Sequence, residues 1–418
     1  MKITHAERLC LDLPFATERA AAHMHRATTH GLRINLWRVE TDTGVVGYGE
    51  GTGDESAFAR VIDRNPFELL HDDSVGVGLQ IAIYDAVGKL TGVPVSCLIG
   101  EPVRDACPIS WWAIDMPPKD WAEEARTAVA RGYRSFKLKA RPWRDIFAQI
   151  EAVAAVVPED FELVIDFNCF LLQSGVAIPI LRQLEQEPRV TIFESPIFQW
   201  DIHGHQQIRQ RITRPICIHF GEPPELTGIQ EQVCDGYLLG GRGVSETSRQ
   251  ATVAAAANQP FWLQMPGTGI VTAFAIHFGA VLSHAQWPAV TLHEMWADDL
   301  LKQPFDVRDG CIHVPNGPGL GIEVDEDAIE RYRVDPDSAP PKEEFRDRRR
   351  ILKICWPKSD GGTTRTWYFT CEEDVQREFY AGNMSLFTRG VSLQVIEDDQ
   401  SPAFTRLHGR IGSKGLHE

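Results

Sequence analysis

The sequence predicts an α/β fold: a barrel of alternating strands and helices, preceded by an α+β lobe and followed by an extension of different character. Three observations carry this. From about residue 106, eight short apolar runs alternate with helical patterns: CPISWWAI, SFKLKA, ELVIDFN, VTIFESP, PICIHF, GYLLGG, PFWLQM and AVTLHE. Charged residues recur at the ends of consecutive runs, at steps of 27 residues (139 to 166), 28 (166 to 194) and 28 (194 to 222). The first hundred residues and those after about 340 lack this rhythm. The repeating section spans about 200 residues, the small end of the barrel range. An open doubly wound sheet fits the same alternation.

Each part follows from local pattern. LRINLWRVETDTGVVGYGE predicts two strands joined by a turn at Asp42-Thr43-Gly44. VGLQIAIYDAVGKLTG predicts a helix that stops at Gly92. In KDWAEEARTAVARG the helical pattern stops at Gly132. In WRDIFAQIEAVAAVV, Trp143, Ile146, Phe147, Ile150 and Val153 fall near one helical face. PPKEEFRDRRR reads as a polar linker, and short strands are expected after it. The expected domains are 1–104, completed by about 312–335; 105–311, the barrel; and 340–418, an extension with no assigned role.

Composition excludes several classes. A formal net charge of −16 argues against nucleic acid as a partner, because phosphate binding needs a basic face. No apolar run approaches the roughly 20 residues of a membrane span. MKITHAERLCLDLPF reads as a strand rather than a signal peptide, for it lacks a continuous apolar core. Nine scattered cysteines without a CxxC pair read as reduced thiols of a cytoplasmic protein.

The chemistry lies at the run ends, where barrel enzymes keep their catalytic groups. A strand aims alternate side chains at one face, so Lys137 and Lys139 of RSFKLKARPW share a face. Two adjacent ammonium groups repel, which lowers the pKa of one of them and lets it act as a base. Asp166 ends the third run, Glu194 the fourth, and Glu222 follows the fifth. Carboxylates from neighbouring strands are hard oxygen ligands that suit Mg²⁺. A cation there holds a substrate carboxylate and stabilises an enediolate.

These residues carry a resemblance. The chain is similar to the enolase superfamily, in the group around mandelate racemase and muconate lactonizing enzyme. The motifs are TDTGVVGYGE (41–50), AIYDAVGKLTGVPVSCLIG (82–100), FKLKA (136–140), VIDFN (164–168), FESP (193–196), LHE (292–294) and PNGPGLGIEVDEDAI (315–329). The resemblance covers roughly residues 1–335. It implies a modified TIM barrel, (β/α)₇β, with an N-terminal α+β capping domain, and Mg²⁺-assisted removal of the proton α to a carboxylate. By the same resemblance Lys139 matches the base and Lys137 its partner, while Asp166 and Glu194 match metal ligands. Asn168 matches the polar residue beside the first ligand, and Glu294 a last-strand glutamate that contacts the substrate carboxylate. The early loop with His23, His25 and Arg26 lies where the family's capping loop closes over substrate. Family members also form even-numbered oligomers, so a homo-oligomer is expected.

The pattern departs from the family at three strand ends. A gapless match puts His219 and Phe220 where the family has its third ligand. Glu222 is ranked first for that role and no protein ligand second, with His219 expected to face the other way, or to ligate only if the strand end twists. The sixth and seventh ends, LLGGRG and WLQMPGTG, lack the Asp, Lys or His of relatives; Gln264 stands near the expected His and is assigned to substrate binding. The expected function is a Mg²⁺-dependent lyase or isomerase on a small carboxylate, foremost an acid-sugar dehydratase with a lysine base. A catalytically impaired descendant with a binding role is the alternative. A Schiff-base lysine barrel leaves the two carboxylates and the capping lobe unexplained.

Overall fold

The computed structural model describes residues 1–26, 33–338, 349–357 and 364–417. The N-terminal lobe begins with strands β1 (Ile3–Asp12), β2 (Arg33–Thr41) and β3 (Val46–Glu50), paired antiparallel in that order. The expected turn forms: the Gly44 N–H donates to the Thr41 carbonyl, and Gly44 takes φ 79°, the left-handed region that glycine tolerates. Between β1 and β2 the segment Glu18–Arg26 is helical rather than the expected loop, in keeping with its ERAAAHMHR sequence. The helix Val77–Thr91 is buried along most of its length and ends at a left-handed Gly92, as predicted. Strand β3 lies directly on it. A Cβ at Gly49 would stand 2.2 Å from the Gly78 carbonyl oxygen, so only glycine permits this approach.

The barrel comes next in the chain. A short strand β4 (Ala106–Pro108) precedes β5 (Trp111–Ala113), β6 (Ser135–Lys139), β7 (Glu162–Asp166), β8 (Val190–Glu194), β9 (Ile216–His219), β10 (Gly236–Leu239) and β11 (Phe261–Leu263). Strands β5 to β11 form one seven-stranded parallel sheet in sequence order, which excludes the doubly wound alternative. The eighth predicted run forms no regular strand but joins the two edges of the sheet. At the β5 end the Ala289 N–H donates to the Pro108 carbonyl (2.8 Å) and its carbonyl accepts from the Ser110 N–H (2.9 Å), just before β5; at the β11 end the Val290 N–H donates to the Leu263 carbonyl (2.9 Å). Helices follow the strands, among them Pro118–Ala130, Ile146–Ala154 and Gly269–Val281. The expected helical face is buried throughout, though Trp143 precedes the helix, which Asp145 caps.

Strands β12 (Val307–Arg308) and β13 (Cys311–His313) pair with β4, and β14 (Arg333–Val334) returns to the first lobe beside β1. The C-terminal unit holds β15 (Arg350–Trp356), β16 (Arg365–Phe369), β17 (Ser392–Glu397) and β18 (Leu416–His417) in the order β17-β15-β16-β18. Its helices Glu372–Tyr380 and Pro402–His408 add to the expected short strands. This unit packs on the loops after β6 and β7. Phe387 meets Phe167 (5.5 Å between rings), Phe379 meets Phe170 (5.4 Å), and the Arg144 guanidinium donates to the Leu393 carbonyl (2.9 Å). Among the described residues no helix is long and apolar enough to cross a membrane, and all nine cysteines are free.

One carboxyl fastens lobe to barrel. Glu50, buried at the end of β3, accepts from the Thr268 N–H (2.9 Å) and hydroxyl (2.8 Å) at the start of the helix Gly269–Val281. Burial pushes its carboxyl up to about 7, against the pull of the Thr268 donors. Burial likewise lifts Asp299 to about 7 and Glu294 to about 8. These raised groups keep protons that the unfolded chain loses above its ordinary carboxyl range. Their stabilisation is complete at acid pH and disappears as pH rises through the folded values. Buried His205, His277 and His293, lowered by burial, act in the opposite sense and only below about 6.5. The melting temperature is therefore expected to fall between about pH 6.5 and 8.5, and to fall less in Glu50→Gln. Thermal melts of both proteins across that window check this; equal slopes would refute it.

Candidate active site

Strand β6 ends with both predicted lysines on the inner face, Lys137 and Lys139 only 1% and 5% exposed. The parallel register sets their partners: Lys139 lies beside Asp166, Asp166 beside Glu194, and Glu194 beside Cys217. Lys137 Nζ stands 2.5 Å from Glu194 Oε2, 3.7 Å from Asp166 Oδ2 and 2.6 Å from Gln264 Oε1. The Trp262 ring lies beside it, with its centroid 5.2 Å away. Lys139 Nζ stands 2.5 Å from Asp166 Oδ2 and 3.2 Å from Asn168 Oδ1. Asn168 takes a left-handed φ of 42° and donates its N–H to Asp166 Oδ1 (2.8 Å). That local bond turns the loop back over the carboxylate.

The two lysines titrate in opposite directions. Burial opposes the charge of Lys137, but Glu194 and Asp166 outweigh it and hold its ammonium above the usual value. For Lys139 burial wins: with the charges of Lys137 and Arg141 it depresses the pKa, against the pull of Asp166 and Glu194. Asp166 is buried, yet Lys139 and Lys137 hold its carboxyl well below the ordinary range. One lysine is thus fixed as a charge and the other brought closer to neutrality.

The remaining predicted residues are placed differently. Glu222 is exposed and is not gathered with Asp166 and Glu194. Strand β9 stops at His219, and the chain turns there, with the Glu222 N–H reaching back to the His219 carbonyl (3.4 Å). Strand alternation therefore does not extend to Glu222. His219, expected to face away, has Nε2 3.5 Å from Glu194 Oε1. Gln264 is spent on Lys137. Glu294 Oε1 accepts from the Trp112 N–H (2.6 Å), and the side chain lines a separate cavity of about 280 Å³. That cavity lies between the helix Glu18–Arg26 and β5, and none of Lys137, Lys139, Asp166 and Glu194 lines it. His23 binds Asp120 at the start of a barrel helix (2.9 Å), a contact between lobe and barrel. The side chains of His25 and Arg26 lie outside the described residues. Sequence reasoning missed Arg141, although it stands only two residues beyond Lys139 in K-x-K-x-R.

The donors present fit Mg²⁺ through two ligands. Asp166 and Glu194 are buried carboxylates on adjacent strands, and neither Glu194 oxygen has a well-aligned hydrogen-bond donor. Mg²⁺ is commonly held by one or two carboxylates and keeps several waters. Among the described residues no third Asp, Glu, His or Cys completes a cluster.

Comparison with known proteins finds relatives of the same fold. Residues 120–223 and 238–328 match the family described as enolase C-terminal domain-like. N-succinyl-L-Arg/Lys racemase of Bacillus cereus is 26% identical over 375 residues, 80% of this chain and 98% of the relative. Its crystal structure superposes with a TM-score of 0.66 at 25% identity, covering 80% of this chain and 99% of that one. D-gluconate dehydratase of Thermoproteus tenax is 27% identical over 301 residues, 64% of this chain and 57% of the relative. An enolase of Thermobispora bispora, crystallised with magnesium and formate, has a TM-score of 0.66 at 22% identity, covering 79% of this chain and 92% of that one.

Proposed function

This chain belongs to the enolase superfamily, in the group of mandelate racemase and muconate lactonizing enzymes, and from that premise we propose that it is a dehydratase of a hydroxy acid, foremost an acid sugar. Its relatives include racemases, cycloisomerases and a dehydratase, and superfamily members generally use Mg²⁺. The observation that carries the reading is the pair of unlike lysines at one strand end, against two buried carboxylates.

Asp166 and Glu194 would hold the metal. When bound, Mg²⁺ supplies positive charge for the substrate carboxylate and for the negative charge that grows on it. Lys139 Nζ takes the α-proton, and the C–H electron pair moves into the carboxylate. Lys137, held charged between Glu194 and Gln264, adds a fixed ammonium beside that charge. The electron pair then returns and breaks the Cβ–O bond. Lys139 gives its proton to the departing hydroxyl, which leaves as water, and the enol product tautomerises to a 2-oxo acid. Using one lysine for both transfers suits a site whose sixth and seventh strand ends carry no second Lys, Asp or His.

Proton NMR in D₂O with a panel of acid sugars tests this. Loss of the α-proton signal and appearance of a 2-oxo acid are expected with Mg²⁺ and not with chelator. A second reading, an impaired descendant with a binding role, draws on the incomplete ligand set. It gains if neither exchange nor dehydration occurs with any acid while an acid still binds.

A further inference from the structure

Two residues beyond Lys139, just past the end of β6, stands Arg141. It is only 1% exposed. Its Nη1 donates to the Ala140 carbonyl (2.8 Å), and its guanidinium lies 5.1 Å from the Phe170 ring centroid. Nε is buried without an acceptor, and among the described residues no carboxylate pairs with the side chain. The contrast with its neighbour is direct. Arg144, equally buried, is matched to Asp115 (3.2 Å) and to the Leu393 carbonyl. A buried cation without a counter-charge is costly unless something pairs with it.

The unused edge of Arg141 is informative. With Nη1 occupied, Nε and Nη2 remain, and these two donors form the side-on fork that grips a planar or tetrahedral oxyanion with two hydrogen bonds. Within the site, Asp166 and Glu194 answer the lysines, so Arg141 is the unanswered charge. Tyr380 from the C-terminal unit stacks on the same Phe170 (5.4 Å, 20° between planes) and is 45% exposed. The arginine thus shares Phe170 with a partly exposed ring, and its charge is felt at Lys139.

We propose that Arg141 binds a second anionic group, a carboxylate or phosphate at the far end of the substrate, so that the enzyme selects dianionic acids over monoanionic ones. The proposal rests on the dehydratase reading for the location of the first carboxylate. Three six-carbon acids that differ only at C6 separate the cases: D-gluconate (hydroxyl), D-glucarate (carboxylate) and 6-phospho-D-gluconate (phosphate). Calorimetric titration of the full chain with Mg²⁺ is expected to show one of the dianions binding at least about tenfold tighter than gluconate. Whichever it is names the oxyanion. Arg141→Gln is expected to bind all three acids as wild type binds gluconate, and Arg141→Lys to keep part of the preference. Four results overturn the proposal: wild type without preference, wild type binding none of the acids, Arg141→Gln keeping the preference, or Arg141→Gln weakening gluconate by the same factor. Failure of the dehydratase reading looks different: dianions are preferred in binding, yet no acid loses its α-proton.

Discussion

Lys139→Met is expected to lower α-proton exchange by about 10³-fold or more, within the range that a positioned acid–base group contributes. Methionine matches the length and burial of the lysine stem but accepts no proton. Asp166 retains Lys137 at 3.7 Å and the Asn168 N–H at 2.8 Å, so the loop around it keeps its anchors. Lys139→Arg should be equally inactive, because guanidinium keeps its proton at any workable pH. Loss of the α-proton resonance in D₂O measures both variants, with thermal melts as the control on folding. Exchange within tenfold of wild type in either would remove Lys139 from the mechanism.

Glu194→Gln is expected to destabilise the fold by about 3 kcal/mol, the low end for stranding a buried charge. Lys137 would lose its closest carboxylate while staying wholly buried, with Gln264 and the more distant Asp166 left to it. Adding Lys137→Met should restore most of that loss, since the uncompensated ammonium is then gone. The double variant should still fail to bind Mg²⁺, because Asp166 alone remains. Denaturant midpoints give the coupling between the two sites, and calorimetry on chelator-stripped protein gives the metal. Additive losses in the double variant would mean that Glu194 and Lys137 do not depend on each other.

Much of the site was legible because it follows from two periods. Strand alternation put Lys137 and Lys139 together, and the βα repeat brought Asp166 and Glu194 to the same rim. Where a strand stops, the first period stops with it. His219 ends β9, so strand parity does not carry into the turn to Glu222, and His219 faces Glu194 instead. Gln264 and Glu294 were legible as positions but not as partners, for the atoms that bind them, Lys137 Nζ and the Trp112 amide, are fixed only by the closed barrel. Barrel closure shows the same limit. The apolar run of AVTLHE predicts a strand, and the segment does the work of one through main-chain bonds at Ala289 and Val290 without regular strand geometry. The residues after the polar linker read as short strands, and the C-terminal unit has them. Their seat on the loops after β6 and β7 was not legible, since nothing local in a sequence specifies a contact between Phe167 and Phe387.

That seat has a temporal side. The Arg144 guanidinium and the Leu393 carbonyl that it binds lie 249 residues apart. A ribosome adding about 5–20 residues per second makes the second on the order of ten to fifty seconds after the first. For most of that interval Phe167 and Phe170, which flank the loop of Asn168, wait for the aromatic side chains that will cover them. The nascent chain therefore carries its catalytic strands long before it carries the cover for their loops.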